Sequence, residues 1–113
     1  MATTKLPDPL SRRYLLEREI DPSKARALAE AYLESGREIE AIEFFARAHA
    51  EEPLRALQAS AVERGDVFLM KMASQALDDE PGAATWRALQ EAATRAGRDR
   101  DAEMASRLAS VDE

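Results

Sequence analysis

Apolar residues recur every three or four positions along most of this chain, and proline or glycine breaks the pattern between runs. That period is the signature of amphipathic helices. The first run follows Asp8-Pro9, an N-cap and first-turn pair. It extends to about Ile20, with Leu10, Tyr14, Leu16 and Ile20 placed to pack. Asp21-Pro22 separates it from the clearest stretch, Ala25 to Pro53. There Leu28, Ala29 and Tyr32 share one helix face, at i, i+1 and i+4. Gly36 stops that helix, since it takes a left-handed conformation without a Cβ clash. A second stripe follows in Ile39, Ile42, Phe45, Ala46 and His49, with Ala41 and Ala48 beside it, and Pro53 ends or follows that helix. Neither stripe is buried by its own helix, so the two helices are expected to pair face to face.

Two weaker copies follow. In the second, Leu57 and Ala61 precede Gly65, and the run Val67, Phe68, Leu69, Met70 and Met72 covers nearly the whole helix circumference. A helix apolar all round is expected to be buried on several sides. The alternative is an exposed patch through which copies of the chain associate. Asp78-Asp79-Glu80 opposes the helix macrodipole and Pro81-Gly82 breaks the helix, which puts its end near Leu77 or Asp78. In the third copy Trp86, Leu89 and Ala93 precede Gly97, and a final helix, about Asp99 to Val111, places Ala102, Ala105, Leu108 and Val111 on one side. Arg100, Glu103 and Arg107 on its other side suit the last helix of a stack.

The first copy resembles the tetratricopeptide repeat. Leu28, Ala29, Tyr32, Gly36, Ala41, Phe45, Ala48 and Pro53 stand at that family's spacing, while Ala25 replaces its early Trp. The second copy has Met70 and Ser74 where the family has Ala and Phe; the third has Trp86, Ala102 and Ala109 in place but Ser106 for Phe. The glycines are 29 and 32 residues apart, short of the family period of about 34. The resemblance covers roughly residues 22 to 111. It implies an all-α fold: a short solenoid of three α-α hairpins behind an N-terminal helix. Residues 1–7 are expected to form a flexible tail and 8–113 a single domain.

Charge narrows the function classes. The net charge is −6, which disfavours nucleic acid, since phosphate contacts need clustered Lys and Arg. Cysteine is absent, so no disulfide framework or thiolate chemistry is expected. No apolar run is long enough for a membrane span, and the N-terminus lacks an apolar signal core, so a cytoplasmic location is expected. Arg12, Arg13 and Arg18 form a small basic cluster, read as a solvated face or as a docking site for an acidic partner. Glu30, Glu34 and Glu38 recur at helical spacing as a solubilising surface. A carboxylate-bridged metal centre needs Glu-x-x-His, but Ala46 stands three residues before His49, the chain's one histidine. No nucleotide loop or zinc-ligand spacing occurs. The chain is therefore expected to be no enzyme and to hold no cofactor or metal.

In the family, a groove along the first helix of each hairpin holds a peptide or partner helix. The resemblance places Arg26, Arg55 and Arg87 at equivalent positions on that groove. Glu30 and Glu91 follow Arg26 and Arg87 by one turn and are expected to neutralise them. Ala59 stands at that position after Arg55, which makes Arg55 the arginine most available to a ligand carboxylate. The expected function is a non-catalytic adaptor for a protein or an acidic peptide. The alternative is an oligomerisation subunit that self-associates through Phe68, Leu69 and Met70, or through exposed ends of the stack.

Overall fold

In a computed structural model that describes residues 6–17 and 20–111, the described residues form seven α-helices and no strand. They are α1 (Pro9–Glu17), α2 (Pro22–Glu34), α3 (Glu38–Arg47), α4 (Glu51–Arg64), α5 (Val67–Leu77), α6 (Ala83–Arg95) and α7 (Asp99–Val111). The all-α class and the expected number of helices are thus observed. The chain divides into two compact units, Met1–Leu54 and Arg55–Glu113, with the boundary inside α4. Most of the expected tail lies outside the described residues, as does Arg18.

One device ends α2 through α6. Gly36, His49, Gly65, Asp78 and Gly97 each have positive φ. In each case that residue's N–H donates to the carbonyl three residues back, and the next N–H donates to the carbonyl five back, as in Arg37 to Tyr32 at 2.9 Å. This pair of hydrogen bonds satisfies carbonyls that a helix end leaves orphaned. The glycines are legible in the sequence; His49 and Asp78 do the same work with a side chain present. The second helix of the first pair stops at Arg47, and Pro53 follows it, in the first turn of α4. One correction concerns the stripe of that helix. His49 is an exposed cap residue, not part of an apolar stripe.

In the first unit α2 packs on α3. Leu28 and Tyr32 are buried with Ile42, Phe44 and Phe45, and Ala25, Ala29 and Ala41 let the backbones approach. Tyr32 and Phe44 stack with ring centroids 5.4 Å apart and planes 10° apart. The Arg37 guanidinium lies 5.1 Å from the centre of the Tyr32 ring. Phe44 is absent from the expected stripe because α3 buries neighbouring residues in pairs, a face wider than a single stripe. Asp8 caps α1 as expected, accepting the N–H of Ser11 at 2.8 Å, and Asp21 caps α2, accepting that of Lys24 at 3.3 Å. Helix α1 reaches α3 through Arg12 and Glu40, 3.9 Å apart. Its packing residues differ from expectation: Leu10 and Tyr14 are 78% and 57% exposed, whereas Leu15, Leu16 and Ile20 are half-buried. Ile20 is not helical.

In the second unit Leu57, Val67, Leu69, Met70, Trp86 and Leu89 form the core with alanines of α4, α6 and α7. Helix α6 packs on α7, and α5 also touches α7. Gln58 donates to the Ser74 hydroxyl at 3.0 Å and ties α4 to α5. The expected all-round burial of α5 is corrected. Leu69 and Met70 are buried, Met72 is half-buried, and Phe68 is 60% exposed. The apolar self-association face of Phe68, Leu69 and Met70 is therefore split between surface and core. On α7, Ala105 and Ala109 are buried, Leu108 is half-buried and Val111 is exposed.

Candidate binding groove

The groove of the second unit is built on one face of α4. Arg55, Gln58, Ala59 and Val62 stand at i, i+3, i+4 and i+7, so they line up along a single side of the helix. Opposite them lie the α5–α6 connection, from Asp79 to Gly82, and Thr85 in the first turn of α6. Met70 of α5, almost fully buried, contributes to the lining. Together these residues line an open depression of about 450 Å³, within the size range of small-ligand and side-chain pockets. Val62 and Met70 contribute apolar lining, and Arg55, Gln58, Asp79, Glu80 and Thr85 contribute polar lining.

Arg55 differs from expectation in its partner. Its Nη1 donates to Asp79 Oδ2 at 3.1 Å, and both side chains are half-exposed. The acid that sequence spacing does not supply on α4 comes from 24 residues downstream. Arg55 thus sits at the groove already paired. Arg26 behaves as expected: its Nε donates to Glu30 Oε1 at 3.1 Å on the surface of α2 in the first unit. Arg87 and Glu91 line another depression on α6, of about 420 Å³, with Gln90, Thr94 and Arg95. Within the second unit, Arg55 and Arg87 therefore line separate cavities.

Gln58, Val62, Asp79 and Thr85 are groove residues absent from the sequence expectation. The helical register after Arg55 points to Gln58 and Val62. Asp79 and Thr85 come from a connection whose path no local pattern specifies. The basic cluster of α1 is divided in its environment: Arg12 is half-buried against Glu40, and Arg13 is exposed. Among the described residues, no group of three His, Cys, Asp or Glu side chains is suited to hold a metal ion. No helix among them is long and apolar enough to cross a membrane. No protein-family model, curated protein or solved structure matches the chain.

Proposed function

We propose that the chain is a non-catalytic adaptor, built from tetratricopeptide-like helix pairs as a short helical-repeat module, that holds a protein or peptide segment. We place this activity in the cytoplasm. The observation that supports it best is the depression on the exposed face of α4, where apolar Val62 and Met70 lie beside polar Arg55, Gln58, Asp79, Glu80 and Thr85. An acidic residue of the segment takes the place of Asp79 on Arg55, by bidentate pairing. The exchange is inexpensive, because an exposed ion pair contributes only about 0–1 kcal/mol. Gln58 and Thr85 then offer donors and acceptors to the segment's backbone.

Immobilised protein and its variants test this. Arg55→Glu should lose the captured partner with little change in melting temperature, since Arg55 is half-exposed. Asp79→Ala should capture more, because it removes the internal competitor. Added salt should weaken capture, as the charges are partly screened. Equal capture by wild type and Arg55→Glu would reduce the groove to a solvated face.

A further inference from the structure

Six large apolar side chains are exposed among the described residues, and five of them fall on two faces. Leu10 and Tyr14 stand one turn apart on α1. Met104 and Val111 share a side of α7 with half-buried Leu108, which lies between them in the helical register. That side borders α5. Leu108 lines a depression with Lys71 and Gln75, and Asp101, one turn before Met104, holds the first N–H of α5. Exposed Phe68 precedes Lys71 and Gln75 at helical spacing, so it extends the α5 edge of the same face. Exposed apolar residues are ordinary when scattered and call for a partner when grouped. We propose that the chain self-associates head to tail, with α1 of one copy lying on the α5–α7 face of another. The proposal goes beyond the adaptor reading and involves no residue of α4.

Charge selects which face meets which. The depression on α1, of about 550 Å³, is lined by Leu10, Ser11, Arg13 and Tyr14, a cation and no acid. The depression beside Leu108 is lined by Asp78, Asp79 and Glu80 against one cation, Lys71. Asp79 pairs with Arg55, which leaves Asp78 and Glu80 in excess. Two α1 faces packed on each other set arginine against arginine, and two α5–α7 faces set acid against acid. Like charges brought together select against a pairing. Only α1 on the α5–α7 face joins opposite signs. The apolar parts also match. Two anchors one turn apart are how a helix lays its apolar face into a groove, and the unbranched side chain of Met104 adapts to an incoming Leu or Tyr.

Sedimentation velocity of the full chain tests this from about 10 to about 500 μM, the range of weak contacts between small faces. The mean mass should rise with concentration. Tyr14→Glu and Met104→Glu put a carboxylate into the contact from its two sides, and each should weaken association by roughly tenfold or more. Both positions are exposed, so the variants should keep the helical circular dichroism of the wild type. Leu10→Ser and Val111→Ser, also exposed, form a second such pair if either variant fails to fold. Mixing Tyr14→Glu with Met104→Glu should restore a dimer, because the intact α1 of one copy meets the intact α7 of the other. Arg13→Glu should weaken association as well, since it turns the charge of the α1 face. A wild type that stays monomeric over the whole range would overturn the proposal. So would a Met104→Glu protein that still dimerises, no restoration on mixing, or an unchanged Arg13→Glu protein. Partner capture through Arg55 is measured separately, so either result stands without the other.

Discussion

Gly65 meets two demands at once. Its φ is +69°, and a Cβ placed there would lie 2.4 Å from both Cα and N of Ala93. Gly36 meets only the first, with φ +77° and open space around it. Gly36→Ala should therefore cost about 1–2 kcal/mol, the usual penalty for a left-handed alanine. Gly65→Ala adds overpacking of about 1–3 kcal/mol, because the atoms it meets are backbone and cannot turn away. Urea unfolding of the two variants should separate them by that second amount; equal losses would mean that the turn after α4 does not abut α6. Tyr32 raises the opposite question. Its hydroxyl is buried without a hydrogen-bond partner among the described residues, while its ring stacks on Phe44. Tyr32→Phe keeps the stack and removes the orphaned group, so stability should hold or rise by up to about 1 kcal/mol. A loss above about 1 kcal/mol would contradict an unpartnered hydroxyl. At this scale the sequence was informative where residue type alone dictates conformation, as for the three cap glycines. It was silent on His49, because a non-glycine cap has no compositional mark.

Helix termini show how local and distant residues share the same task. Asp8 carries a pKa below its ordinary value, first because the Ser11 backbone N–H donates to it and then because the Ser11 side chain does. A carboxyl with a lowered folded pKa stabilises the helix above the unfolded value and loses that effect as pH falls through the folded one. The Ser11 amide resonance should accordingly titrate with a midpoint below 3.8. A midpoint at or above that value would contradict the cap. The start of α5 is held by two carboxylates. Asp66 accepts from Leu69 N–H at 3.0 Å, and Asp101 of α7 accepts from Val67 N–H at 3.2 Å. Arg98 pairs with both, at 3.8 and 3.0 Å. Asp101→Ala should cost about 1–2 kcal/mol, as for loss of a helix cap or a charged hydrogen bond. A loss under about 0.3 kcal/mol would mean that solvent replaces it fully. The Asp8-Pro9 start of α1 was legible because donor and acceptor lie within one turn. Asp101 was not, because it stands 34 residues from the N–H it caps.

Across the whole molecule, the apolar period sufficed for helix number and for the burial of Tyr32, Phe45, Leu57 and Leu89. Phe45→Ala should cost about 3–5 kcal/mol, the range for a core aromatic, and a loss below about 1 kcal/mol would contradict its burial. The candidate groove was half legible. The face of α4 follows from helical register, whereas Asp79 reaches Arg55 only through the fold. The central claim is that a partner lies on that face. Site-specific photo-cross-linking tests it most directly, with the reactive group placed at Ala59, exposed in the groove lining, or at Arg107, exposed on α7. A partner that Arg55→Glu fails to capture should cross-link from position 59 and not from position 107. Cross-linking from 107 with none from 59 would contradict the account.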